Sequence, residues 1–389
     1  MNIHPGLKQG PIYLDYNATT PIDPVVVEAM LPYLSEHFGN PSSSHSYGYR
    51  AHQAVDSARL QVAQLLGCSA KEITFTGGGS ESDNLAICGI ALAYQSKGNH
   101  IITQITEHPG VLETCHALER QHGFRITNLP VDRNGRVNTE EVEAAIDDKT
   151  VLITIMHANN ETGTLQPIAE IAKIARKHGV LLHTDAAQSV GKIPVRVEDL
   201  GVDLLTVAGH KLYAPKGIGA LYCRHDLKLE PVIYGGGQEL GRRAGTESVA
   251  NIVALGTACV LVQEQLSASQ NRLCSMRDWL ERLIAQYNPG HVHLNGHVTE
   301  RLPNTLNISV DGVVGEEVLA NTPEIASSTG SACHEGSTDP SPVLMAMGLS
   351  RERALGALRL TLGRWSTVEE IERSARLLAK SIDSLQRKQ

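Results

Sequence analysis

Several absences narrow what this chain does. Its seven cysteines, at 68, 88, 115, 223, 259, 274 and 333, contain no Cys-x-x-Cys pair, and no His-x-x-Glu-His occurs among its 17 histidines. A disulfide framework or structural zinc site is therefore not expected, and a reducing, cytoplasmic setting without a bound metal is. Basic clusters are missing as well. The net charge is −8, from 34 Lys and Arg against 42 Asp and Glu spread without blocks. Phosphate backbones need clustered positive charge, so nucleic acid is excluded as the main partner. The opening "MNIHPGLKQGPIYLDYN" has no apolar leader segment. No apolar run reads as long enough to cross a bilayer, so no membrane association is expected. With 41% hydrophobic and 20% charged residues, the 389-residue chain has the composition of a globular protein.

From about residue 48 to 223, short apolar runs alternate with helical stretches. "EITFT", "HIITQI", "TVLITIM", "GVLLHTD" and "DLLTVAG" lack polar alternation, as strands buried on both faces do. "YRAHQAVDSARLQVAQLLG" reads as a helix ending on Gly67. In "PIAEIAKIARK", Ile168, Ile171, Ala172 and Ala175 form one stripe. Strands alternating with helices imply a mostly parallel α/β sheet. After residue 247 a long helical segment leads to shorter strands and a last helix beginning "STVEEIE". There Ser366 and Glu369 have capping-box spacing, and Val368, Ile371, Ala375, Leu378 and Ile382 form the stripe. The expected organisation is a large domain over 15–258 and a smaller α+β domain over 1–14 and 259–389.

In open parallel sheets, ligands bind beyond the carboxyl ends of the strands. Read to their ends, the strands deliver "GGGSE" with Gly79 and Ser80, then His108, Asp185 with Gln188 close behind, and His210-Lys211. A glycine turn at a helix start favours an anion, and Ser80 is placed to cap that helix. A carboxylate ending an apolar strand suits a protonated ring nitrogen. A lysine among glycines and aromatics, partly desolvated, gains nucleophilicity. Pyridoxal phosphate needs all of these parts. One feature stands apart: "SSTGSACHEGSTDPSP" (327–342) holds Cys333 among small residues with no packing period.

The motifs "YLDYNATTP", "GNPSSSHSYG", "FTGGGSESDNLAI", "EHPGV", "HANNETGTLQPI", "HTDAAQSVGK", "GHKLYAPKGIGALY", "GGGQELGRRAGTES" and "TGSACHEGSTDPSPVL" together resemble the cysteine desulfurases of the class V aminotransferase group. That resemblance implies the pyridoxal-phosphate transferase fold type I. It implies Lys211 as the Schiff-base lysine, Asp185 as partner of the pyridine nitrogen, and His108 as the stacked, proton-handling residue. It places Asn160 and Gln188 near the ring hydroxyl, and Gly79, Ser80 and His210 at the phosphate. Thr246 is implied at the phosphate of the other subunit of a homodimer, Arg359 at the substrate carboxylate, and Cys333 as the sulfur-accepting thiol on a loop of about 326–342. L-cysteine is the implied substrate, with a sulfur-acceptor protein as partner and iron–sulfur cluster assembly as a use for the sulfur.

Two departures keep alternatives open. Many relatives have Ser or Thr where this chain has Ala208, and "TVAGHK" with "ACHEGSTDPSPVL" is similar to selenocysteine lyases, so L-selenocysteine stands as a second substrate. A non-catalytic sulfur carrier is the reading of another class. His334, beside Cys333, is a candidate to promote the thiolate.

Overall fold

A computed structural model of the chain describes residues 3–330 and 339–387. Cys333, His334 and Glu335 lie outside the described residues. In chain order the strands are β1 (Ile12–Tyr13), β2 (Ile73–Thr76), β3 (His100–Gln104), β4 (Arg125–Leu129), β5 (Thr150–Thr154), β6 (Leu181–Asp185), β7 (Leu204–Ala208), β8 (Gly219–Cys223), β9 (Val292–Leu294), β10 (Thr305–Val310), β11 (Ile325–Ala326) and β12 (Ala357–Thr361).

The large sheet has the order β2-β8-β7-β6-β5-β3-β4. Strands β4, β3, β5, β6 and β7 pair in parallel, and β8 runs against both β7 and β2. The expectation of a mostly parallel sheet holds, with β8 as the reversed strand. The apolar runs are continuous because both faces are covered. Ile102, Ile153 and Leu205 face one core, together with Val55, Val62 and Ile171 from helices. Their neighbours Ile101, Leu152 and Leu204 face another, against Leu85, Ile87 and Leu118. This is the two-residue strand period applied to strands with no solvent face. Each such side chain contributes about 1.5–3 kcal/mol on burial. Gly67 closes the Ser46–Leu66 helix in the left-handed conformation, φ 71°, and the predicted Ile168–Ala175 stripe is buried.

A third core lies beyond residue 270. It joins Leu306 and Ile308 of β10, Leu358 and Leu360 of β12, and Leu378 and Ile382 of the last helix. Ile12 and Leu14, from the start of the chain, are packed into it. The antiparallel sheet here has the order β12-β10-β9, while β1 pairs in parallel with β11. The 39-residue helix Val249–Tyr287 joins the two regions. Its Ile252, Leu255 and Val262 pack in the first core, and its Leu273, Leu280 and Ile284 in the third.

Three sequence expectations need correcting. The Val249–Tyr287 helix is long and apolar enough to cross a bilayer, contrary to the reading that no run is. Its packing in two cores accounts for that apolarity. The last helix, Val368–Gln386, is capped by Thr367 and Glu370, one residue later than predicted. Ser366 is diverted: its hydroxyl accepts the Gly363 N–H at 3.0 Å. Val368, in the first turn, is 49% exposed and lies outside the buried stripe. A His-x-x-x-His spacing is present at 293 and 297, but off any helix. His293 bonds Asp311, while Nδ1 of His297 accepts the N–H groups of Thr299 and Glu300.

Candidate active site

The strand ends converge as expected. After β2 the chain turns through Gly77 and Gly78 into the Gly79–Tyr94 helix. Gly78 takes φ 147°, and its backbone lies against β8: a Cβ on Gly219 would stand 2.7 Å from the Gly78 carbonyl carbon. A Cβ on Gly79 would stand 3.2 Å from that of Ala208, at the end of β7. The unsatisfied N–H groups of the helix's first turn thus open beside the His210-Lys211 turn, which suits an anion. The helix starts two residues earlier than a Ser80 cap requires, with Gly78 at the N-cap. Ser80 lies in the first turn, with its hydroxyl free to face a ligand.

His108 caps the Pro109–His122 helix, its Nδ1 accepting the Gly110 N–H at 3.0 Å. That bond leaves the ring proton on Nε2. Burial lowers the His108 pKa, opposed by Asp185 and reinforced by Lys211. Asp185 ends β6, buried, and accepts the Ala187 N–H at 2.8 Å. Burial raises its pKa, against the pull of the Ala187 bond, His108 and Lys211. Two further carboxyls lie near it. Burial pushes Glu107 up to about 8 and raises Asp83 strongly, with Asp185 adding to both shifts.

Lys211 follows β7 in a single 3₁₀ turn, Gly209–Lys211. Tyr213 then takes a left-handed φ of 69°, costly for an aromatic residue. The turn is held by the Thr20 hydroxyl on the Tyr213 N–H (2.8 Å), the Tyr213 hydroxyl on Arg364 N (2.8 Å), and the Arg364 guanidinium 4.2 Å from the ring centroid. Lys211 Nζ donates to the main-chain oxygens of Asn17 and Ala18, both at 2.6 Å. Burial first, and Arg359 second, lower its pKa from 10.5 to about 8. His210 Nδ1 lies 3.1 Å from the Thr19 hydroxyl, and burial holds its pKa at about 4.

The N-terminal segment therefore builds the site. Asn17 O also accepts from Gln188 Nε2 at 3.0 Å. Its Oδ1 accepts from Lys192 Nζ (2.9 Å) and Asn304 Nδ2 (3.0 Å), and its Nδ2 donates to Asn160 O (3.2 Å) and Thr305 Oγ1 (2.9 Å). Arg359, on β12, is buried. Its Nη2 donates to Asp15 Oδ1 at 2.9 Å and its Nη1 to Asn160 O at 3.2 Å, while its Nε has no partner among the described residues. An unpaired buried guanidinium N–H is costly and is a docking point for a carboxylate. Arg359 N also donates to Ser328 O at 2.7 Å. Glu161, next to Asn160, accepts from the Ser341 hydroxyl and lies against Gly330. Burial pushes Glu161 up to about 7. Both described flanks of the segment with Cys333 thus rest on Glu161, and the first also bonds Arg359. Thr246 is exposed and hydrogen-bonds nothing among the described residues. The turn preceding it is pinned by Glu239, which grips Arg59 through both carboxylate oxygens (2.6 and 2.8 Å) and accepts the Phe75 N–H (2.8 Å).

The pattern of the class-V aminotransferase family matches residues 12–373, and the chain belongs to that family. It is similar to the cysteine desulfurase IscS of Dictyoglomus turgidum, 47% identical over 376 residues, covering 96% of this chain and 95% of the relative. It is also 47% identical to the cysteine desulfurase IscS of Pectobacterium carotovorum over 96% of this chain and 93% of that one. Among solved structures, a NifS-like protein superposes with TM-score 0.90 at 35% identity, over 96% of this chain and 100% of the other. The structure of SspA in complex with cysteine gives 0.80 at 41%, over 92% and 100%.

Members of this family depend on pyridoxal phosphate, and the residues present fit it. A lysine amine of lowered pKa, a strand-end carboxylate, a histidine of fixed tautomer and a helix start meet at one edge of the sheet. Asp15, Asn17, Glu161 and Lys192 were not singled out from sequence, although each lies inside or beside a motif quoted above. A polar residue four positions after Gln188 was the available signal for Lys192.

Proposed function

We propose that this chain is a cysteine desulfurase that converts L-cysteine to L-alanine and carries the sulfur as a persulfide on Cys333. The observation supporting this most is the placing of Lys211, Asp185 and His108 at the strand ends, with Arg359 opposite and its Nε unpaired among the described residues. Lys211 would hold the aldehyde carbon of the cofactor, Asp185 its ring nitrogen, and His108 its face. Asn160 and Gln188 would meet the ring hydroxyl, and Gly79, Ser80 and His210 the phosphate. Bound there, pyridoxal phosphate supplies the electron sink that labilises bonds at the substrate's α- and β-carbons. Arg359 would take the substrate carboxylate and so fix the orientation of the substrate. Lys211, its pKa lowered to about 8, would be a base of near-neutral proton affinity suited to the α-proton. The Cys333 thiolate then attacks the substrate sulfur: an S–S bond forms, the C–S bond breaks, and the β-carbon gains a proton to give alanine.

Incubation with L-cysteine, alkylation and mass spectrometry tests this directly. The peptide with Cys333 is expected to carry one additional sulfur; an unmodified Cys333 during turnover would overturn the assignment.

Apolar exposure supports a homodimer in which Thr246 completes the partner's phosphate site. Phe38 (72% exposed) and Tyr47 stack in the open with ring centroids 5.4 Å apart, and Tyr49, Tyr234 (71%) and Leu240 are exposed too, apolar surface that a second subunit would cover. Sedimentation at twice the monomer mass is expected. The acceptor of the sulfur is proposed to be another protein, with iron–sulfur cluster assembly as one use, in the cytoplasm.

A further inference from the structure

A second lysine lies behind the crevice. Lys192 is buried, and its Nζ donates to Gln188 Oε1 at 2.7 Å and to Asn17 Oδ1 at 2.9 Å. Its partners are two amide oxygens, and it forms no salt bridge with a carboxylate of the described chain. Burial first, then the charges of Lys211 and Arg359, push the amine well below its ordinary value. A neutral amine has two N–H groups, matched here by two acceptors; an ammonium would make the same two bonds.

We propose that Lys192 is a positioning residue of the cofactor site, fixing the Gln188 amide in one orientation and, through Asn17, the carbonyl that receives Lys211. With Lys192 on Oε1, the Gln188 NH₂ donates to Asn17 O and keeps one N–H for a ligand. A flipped amide would set NH₂ against the Lys192 donors and oxygen against the Asn17 oxygen, losing both bonds at once. Asn17 is bound at both ends of its side chain, so its main-chain oxygen, the acceptor of Lys211, is held in place. The turn leading to Lys192 also packs on the lysine loop. Gly191, at φ +84°, leaves room for Leu212, whose Cβ would stand 3.1 Å from a Cβ at 191.

The inference rests on the assignment of Gln188 to the cofactor, and a double-mutant cycle on the holoenzyme separates the two. Lys192→Met is expected to raise the cofactor dissociation constant about tenfold, because Gln188 Oε1 loses its buried partner. It should also move the pH midpoint of the visible absorption band, while KM for L-cysteine stays nearly constant. Gln188→Leu should give a similar loss, and the double variant little more than the larger single effect. A silent Lys192→Met, or losses that multiply, would overturn the proposal. A silent Gln188→Leu would instead overturn the assignment of Gln188. Should Lys192→Met not fold, Lys192→Gln carries the same cycle, since its shorter amide retains two N–H donors; a band midpoint and cofactor affinity closer to wild type than those of Gln188→Leu are then expected, and loss equal to Gln188→Leu counts against the proposal.

Discussion

Replacing Lys211 by alanine is expected to remove the visible band of the cofactor-loaded protein and lower kcat on L-cysteine by about 10²–10⁴-fold or more. Two functions leave with one side chain: the amine that links the cofactor and the base that takes the α-proton. The magnitude follows from the environment. A pKa lowered from 10.5 to about 8 leaves roughly three-hundredfold more uncharged amine at pH 7 than an exposed lysine has. Because raising the pH deprotonates the amine, cofactor capture by the apoprotein should accelerate about tenfold per pH unit below 8 and level off above it. Lys211→Arg should not rescue, since a guanidinium stays protonated throughout this range. Stopped-flow absorbance against pH measures the profile. A band that survives Lys211→Ala would assign the cofactor linkage elsewhere.

Cys333→Ala is expected to leave the visible band intact and depress turnover of L-cysteine by about a thousandfold or more, the loss typical of a removed nucleophile. Turnover of L-selenocysteine is the informative comparison. Selenium leaves carbon more readily, so retained activity on that substrate alone would favour the lyase reading raised by Ala208. Full activity of Cys333→Ala on L-cysteine would remove the persulfide step. Alanine release, measured for both substrates and both proteins, decides among these outcomes.

Much of the crevice was legible because an apolar strand that stops on a charged residue marks its own end. Asp185 and Lys211 were visible for that reason, and so was the parallel sheet. What surrounds them was not. Asp15 meets Arg359, and Lys192 meets Asn17, only after segments far apart in sequence have been brought together, and no local period records such a meeting. The capping box failed by one residue because Ser366 had a better use closing the Gly363 turn, a choice that depends on tertiary context. The apolar surface of the Val249–Tyr287 helix was likewise explained only by the two cores it joins.

The hub at Asn17 has a consequence for how the protein is made. Its N–H reaches the Thr361 hydroxyl, 344 residues away, and the Leu14 carbonyl accepts the Thr361 N–H. A ribosome delivers Asn17 344 residues before Thr361. The carbonyl that steadies Lys211 is therefore anchored only after β12 has emerged. Closing so long a loop is slow, and domains otherwise fold in the order they are synthesised. The strands that carry Lys211 are all synthesised before β12, so the competent cofactor site waits for a strand of the other core, and Asn17 finds its place later than the sheet it serves.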